Sequence, residues 1–195
     1  GDELSTIASG PTVPDPTTCA DALEIVDRYG IALPAAARHA LASGAAESPK
    51  ADDPGFARCE SHVIATAQRS LAAAAELARQ RGVVPLVLGD AIEGEAREVA
   101  RVLGGVALSC AAHGVPLAGP CVLLSGGETT VTVKGGGRGG RNLEFLLGLA
   151  LTLNGHARIH AIAGDTDGID GSEDNAGALL FPDSMARASA AGIDL

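Results

Sequence analysis

From Cys59 onward, short apolar runs alternate with alanine- or leucine-rich stretches of helical length, and glycines punctuate the joints. Segments 61–66, 83–88, 120–124, 128–133 and 158–163 read as strands, while 68–81, 92–112, 142–153 and 184–191 read as helices. Strands alternating with helices predict an α/β fold, a largely parallel sheet flanked by helices. The apolar run over 83–88 suits a strand buried on both faces. In 130–133 Thr alternates with Val, which gives one polar and one buried face. Gly104 and Gly105 predict a kink in the longest helix, and Glu93 and Arg97 form an i,i+4 pair at its start.

Upstream of Cys59 the pattern differs. Residues 1–16 carry Ser9-Gly-Pro-Thr12 and Pro14-Asp-Pro16, which read as a rigid extended or turn segment. Thr17 or Thr18 caps a helix that ends at Gly30, and Pro34 opens a second over 35–42, closed by Gly44. Residues 45–57 are polar and turn-rich, the best candidate for a boundary, so we divide the chain into 1–57 and 58–195. A length of 195 residues accommodates a domain and a half. Aromatics make up only 2% and Trp is absent, so the core must be built from Ala, Val, Leu and Ile.

Charge narrows the function. The formal net charge is -10 and only Lys50 and Lys134 are lysines, which argues against nucleic acid and anionic membranes as partners. No apolar run reaches the length of a membrane span. Cys19, Cys59, Cys110 and Cys121 lack metal-finger spacing and follow no secretory signal, so the expectation is four buried, reduced thiols in a cytoplasmic protein. The start at Gly1 and the stop at Leu195 without a polar tail suggest a piece of something longer.

One stretch runs against the acidic balance. Between Glu128 and Glu144 lie Lys134, Arg138 and Arg141 with no acidic residue, and glycines fill positions 135–137, 139 and 140. Such a loop lets the backbone approach a ligand and aim its N–H groups inward, and the helix that follows adds further free N–H groups. This is a cradle for a phosphate or carboxylate; the bland alternative is a flexible surface loop. A second constellation, Gly164-Asp-Thr-Asp-Gly-Ile-Asp-Gly171 with Glu173 and Asp174, crowds five carboxylates together. Its spacing does not fit a calcium loop, whereas magnesium needs only one or two carboxylates plus phosphate, so Asp165, Asp167 and Asp170 are metal candidates. Their alternative is a solvated turn in which Asp side chains bond their own backbone. A basic anion cradle beside an acidic loop is the parts list of phosphoryl transfer, without a Walker-type loop.

Other readings compete. Gly135-x-Gly137-x-x-Gly140 with Asp165 downstream formally matches a dinucleotide fingerprint, so a nicotinamide oxidoreductase is the second hypothesis. A non-catalytic anion- or nucleotide-binding module is the third. None of His39, His62, His113, His156 or His160 has metal-ligand spacing, and Ser125-Gly-Gly-Glu128 lacks the Gly of a nucleophile elbow and reads as a tight turn.

Several blocks then recur in order: Ile7-Ala-Ser-Gly-Pro-Thr12, Glu93-Gly-Glu-Ala-Arg97, Ser125-Gly-Gly-Glu128 with Thr130-Val-Thr-Val133, Gly139-Gly-Arg-Asn142 with Glu144, and Thr166-Asp-Gly168 with Asp170-Gly171 and Ala176-Gly-Ala178. Together they resemble the glycerate kinases built from a DUF4147-type domain and a MOFRL domain. The resemblance implies a MOFRL-like α/β domain (58–195) preceded by the tail of a Rossmann-like DUF4147-type domain (1–57). It implies phosphorylation of D-glycerate to 2-phosphoglycerate with ATP and Mg2+, in a protein that relatives often label hydroxypyruvate reductase. Arg141 stands at the family's phosphate-stabilising arginine. Around it we expect Ser9, Gly10, Ser125, Gly126, Gly127, Glu128, Lys134, Gly137, Arg138, Gly139, Gly140 and Asn142 to bind substrate or phosphate. The chain departs from the family pattern at Leu143, Ile169 and Asp165. Relatives also have a large N-terminal portion with an active-site lysine and a C-terminal Thr-Gly-Pro-Thr-Gly-Thr-like segment, neither found in these residues. The chain is therefore expected to be catalytically incomplete by itself and to expose apolar surface through which it associates with itself or with the missing half.

Overall fold

The computed structural model describes residues 3–6, 10 and 12–193. They divide into two compact units, Gly1–Thr66 and Ala67–Leu195, whereas the sequence places its break after 57.

In the first unit, helix α1 (Cys19–Tyr29) begins with a reciprocal capping box. The Thr18 side chain accepts from Asp21 N, and the Asp21 carboxylate accepts from Thr18 N at 2.8 Å. Gly30 closes the helix in the left-handed conformation at φ 60°. Helix α2 (Ala35–Ala42) follows Pro34. A polar staple ties the chain before α1 to the chain after α2. Lys50 Nζ pairs with Glu47 at 2.6 Å and donates to Ser48 Oγ at 2.9 Å and to the Thr17 carbonyl. Glu47 accepts from Cys19 N at 2.9 Å, and Asp15 accepts from Thr17 N and Oγ1 and from Ser48 Oγ. The Thr17 hydroxyl and amide lower the Asp15 carboxyl to about 2, and Lys50 with the Cys19 amide lowers Glu47 to about 2. The strand expected over 61–66 is absent: these residues are irregular, and Val63 and Ile64 are exposed. β-propensity describes a surface that fits a sheet and does not by itself supply one.

The second unit runs α3 (Ala67–Gln80), β1 (Val84–Glu95), α4 (Ala96–His113), β2 (Cys121–Thr130), α5 (Arg141–Leu153), β3 (Ala161–Gly164), β4 (Gly177–Leu180) and α6 (Ser184–Ala190). β1 and β2 pair in parallel from Val84 opposite Cys121 to Glu95 opposite Thr130, with irregularities on either side of Gly89. The expected parallel sheet is realised in this pair, while β3 and β4 form a separate antiparallel pair. Two local expectations are corrected. Residues 92–95 extend β1 and do not open the following helix. Residues 125–128 lie within β2 and do not form a turn, because Ser125, Gly127 and Glu128 align with Gly89, Ile92 and Glu93.

The core joins α4 to α5. Ala96 and Ala100 are fully buried on α4, and Ala100 packs with Leu146, Leu149, Ala150 and Leu153 of α5 and with Leu180 of β4. Gly104 does not break α4. A Cβ there would meet Thr152 at 2.7 Å and Leu149 at 3.2 Å, and one on Gly148 would meet the Arg97 backbone at 3.1 Å. Small residues thus allow close helix approach in a chain with few large side chains to fill a gap.

An apolar groove of about 1560 Å³ is bordered by β2, β3 and α5; Gly126, Gly127, Asn142 and Asp165 also line it. Among the described residues no helix is long and apolar enough to cross a membrane. All four cysteines are free; Cys19 and Cys110 are buried and Cys121 half-buried, but Cys59 is exposed, contrary to expectation. Burial pushes the Cys121 thiol up, reinforced by the neighbouring Cys110.

Candidate functional site

Arg141 is the first residue of α5, and its guanidinium is held by two carboxylates from different strand ends. Nη2 donates to Asp165 Oδ2 at 2.8 Å, and Nη1 donates to Glu128 Oε1. Glu128 lies near the end of β2, opposite Glu93 of β1. Asp165 follows β3 directly; its amide donates to the Ala176 carbonyl at 2.6 Å and its Oδ1 accepts from Asp167 N at 3.0 Å. The two carboxylates differ in setting: the side chain of Asp165 is 10% exposed and that of Glu128 is 72% exposed.

Helix α5 needs an N-terminal cap, because Gly140 has no side chain to offer its first N–H groups. Asp170 provides it from the acidic loop. Its Oδ1 accepts from Asn142 N at 2.9 Å and Asn142 Nδ2 at 3.1 Å, and its Oδ2 accepts from Leu143 N at 2.8 Å. The residue is fully buried. Asp170 was expected as a metal ligand; both of its oxygens are instead engaged beneath a helix end, and none of its surface is open to an ion. The Asn142 amide faces Asp170, and the N–H groups of Asn142 and Leu143, expected to be open to an anion, already serve this internal carboxylate.

Asp170 belongs to a wider lacing of the two constellations. Ser172 N donates to the Gly139 carbonyl at 3.2 Å, Gly139 N donates to Ser172 Oγ at 3.2 Å, and Arg138 Nε donates to Glu173 at 2.8 Å. Gly140 and Gly171 make the backbone approach possible, since a Cβ on either would strike the opposite loop. At the other end of the glycine loop, Thr132 N and Oγ1 donate to Glu95 at 2.8 and 3.0 Å, which holds the Glu95 carboxyl below its usual range. Ser172, Glu173, Glu95 and Thr132 were not singled out as site residues. Glu95 and Thr132 do stand inside the ordered blocks, which is the signal that could have found them.

The remaining candidates fall into place as follows. Lys134 and Gly137 are exposed, and a Cβ on Gly135, Gly136 or Gly137 would meet nothing within 4 Å, so this part of the loop is open. Ser125 is exposed on β2, and Gly126 lies close to Asp90, Leu71 and Ala67. Gly127, at φ 150°, sits against the Ile92 backbone where any side chain would collide. Gly10 adopts φ 55° against the Ser5 carbonyl in the first unit, and Ser9 lies outside the described residues. Asp167 is exposed beside Asp165. Among the described residues no three His, Cys, Asp or Glu side chains converge to hold a metal ion.

Comparison with known proteins bears on this arrangement. Residues 121–195 match the MOFRL family, and residues 1–42 match the domain of unknown function DUF4147. Both matches fall in one chain, DUF4147 first and MOFRL second. It is 57% identical over 196 residues to a protein of Agrobacterium vitis provisionally named a hydroxypyruvate reductase, covering 100% of this chain and 44% of the relative. It is 34% identical to the D-glycerate 2-kinase of Thermotoga maritima, covering 100% of this chain and 45% of that one. The crystal structure of the Thermotoga maritima glycerate kinase matches with a TM-score of 0.76 at 35% identity, again over 100% of this chain and 45% of that chain. The chain thus spans about half the length of the curated relatives it matches.

Proposed function

We propose that this DUF4147–MOFRL chain supplies the phosphate-handling part of a glycerate 2-kinase, which moves the terminal phosphoryl group of ATP to the 2-hydroxyl of D-glycerate. The products are ADP and 2-phosphoglycerate, and the hydroxyl proton is released. The observation that carries this reading is Arg141, poised between Glu128 and Asp165 beside an open glycine loop. The names of the Thermotoga maritima and Pyrococcus horikoshii relatives, glycerate 2-kinases, support it. Arg141 offers planar, fixed donors to phosphate oxygens, and Lys134 with the amides of 135–137 adds donors along the exposed loop. Positioning and charge neutralisation supply most of the rate in phosphoryl transfer.

Of the three expected positions, the donor chemistry fits magnesium at one, Asp167. One or two carboxylates with phosphate are sufficient, and the exposed Asp167 offers one, whereas both oxygens of Asp165 already accept, from Arg141 and from the Asp167 amide. Asp170 is committed to the helix. A bound magnesium ion would neutralise charge on the nucleotide phosphates. We assign 1–57 to the DUF4147-type portion and 58–195 to the MOFRL-type portion of a cytoplasmic enzyme. The activity belongs to the whole protein in which these residues act, so the chain alone is expected to turn over no glycerate. Its apolar groove makes self-association the expected behaviour in isolation.

The reductase reading has the names of two Agrobacterium vitis relatives in its favour. The geometry weighs against it. A ribose-binding acid should be free to accept from a hydroxyl, yet Asp165 is engaged by Arg141, and a loop of residues 131–140, not a tight turn, joins β2 to α5. The full-length protein incubated with D-glycerate, ATP and magnesium should yield 2-phosphoglycerate, identified by 31P NMR. Hydroxypyruvate-dependent oxidation of NADH without phosphoglycerate would establish the reductase instead, and nucleotide binding with neither product would establish a binding module.

A further inference from the structure

The two carboxylates on Arg141 differ in how readily they can leave. Asp165 is nearly buried, accepts from the amide of Asp167 and is tethered through its own amide to Ala176. Glu128 is largely exposed, so its ion pair competes with water, and such a pair shifts an equilibrium by only about two- to fivefold. An anion approaching Arg141 therefore displaces Glu128 and leaves Asp165 in place.

We propose that Glu128 is a displaceable internal counter-ion that makes Arg141 select phosphate over carboxylate; this rests on the phosphate reading above. A free carboxylate that replaces Glu128 exchanges one monoanionic group for another of the same shape. It must also compete with a tethered rival, whose effective concentration is on the order of millimolar or higher. A phosphate dianion brings more charge and three acceptor oxygens, so it wins where a carboxylate does not. Both anion types occur in the proposed reaction, phosphate on the nucleotide and carboxylate on glycerate. Glu128 thus keeps glycerate's carboxylate off Arg141 and reserves the guanidinium for the phosphoryl group. Glu128 is a specificity residue by this logic, and its removal should increase anion binding, an outcome that mere damage to the fold would not give.

The test follows the Arg141 Nε–Hε signal by NMR, assigned by its loss in Arg141→Lys, while inorganic phosphate or acetate is added at constant ionic strength and mildly alkaline pH. In the wild-type chain the signal should shift with phosphate and stay still with acetate at equal concentration. In Glu128→Gln it should respond to both, with phosphate binding tightened about two- to fivefold. Glu128→Ala should move in the same direction. If phosphate shifts the wild-type signal but neither variant gains a response to acetate, the selectivity role is wrong and the phosphate site stands. If phosphate leaves Arg141 unmoved in all three proteins, the phosphate reading itself fails and this inference with it.

Discussion

Asp170 and Asp165 are five positions apart in one acidic loop, yet one carboxylate is sealed under a helix and the other meets a guanidinium at a groove. Removing Asp170 leaves the N–H groups of Asn142 and Leu143 without their acceptor in a buried setting. Asp170→Ala should therefore cost roughly 2–3 kcal/mol, measured by urea denaturation, the sum of a lost cap and a buried unsatisfied donor. Asp170→Asn keeps one acceptor oxygen and should fall between wild type and Ala. A cost below about 0.5 kcal/mol for the Ala variant would show that the cap is dispensable. At this scale the sequence was informative about chemistry and silent about assignment. The glycines and arginines marked Arg141 as the group to watch. Nothing in Asp-Thr-Asp-Gly-Ile-Asp distinguishes a helix cap from a ligand, because the distinction depends on Gly140 and Gly171 letting two distant loops touch.

Helices were legible because their stops are local. Thr18 with Asp21, Gly30 and Pro34 act within one turn of the ends they define, and α1 and α2 lie where the sequence placed them. Strand ends were not. β1 runs on through Gly89 to Glu95 because β2 extends beside it, and the segment 61–66 has strand composition without strand structure. The glycines in α4 carried a packing message that reads as a kink in one dimension. Gly104 and Gly148 let α4 and α5 approach, so Gly148→Val should press on the Arg97 backbone and cost about 1–3 kcal/mol by thermal or urea unfolding. Gly105, with open space at its Cβ, is the control: Gly105→Ala should be neutral or slightly stabilising.

Across the molecule the two units rest on different physics. The second is held by a small-residue helix contact and aliphatic packing, and the first by the staple of Asp15, Glu47 and Lys50. Asp15 falls from its ordinary 3.8, and Glu47 from 4.5, to about 2 in the fold. A depressed carboxyl stabilises the folded form fully above its ordinary value, and that contribution disappears as pH falls toward about 2. Acid should therefore loosen the first unit between those limits, seen as loss of the amide signals of α1. In Lys50→Met, Glu47 should titrate closer to 4.5, followed by its carboxyl 13C shift; an unchanged midpoint would remove Lys50 from the staple. The measurement that bears most directly on the proposed phosphoryl transfer is the steady-state rate of ATP-dependent glycerate phosphorylation by the full-length protein, with Arg141 intact and as Arg141→Ala. A fall in kcat of about 10²-fold or more, with the variant still folded, is the predicted result. A variant that phosphorylates glycerate at close to the wild-type rate would contradict it.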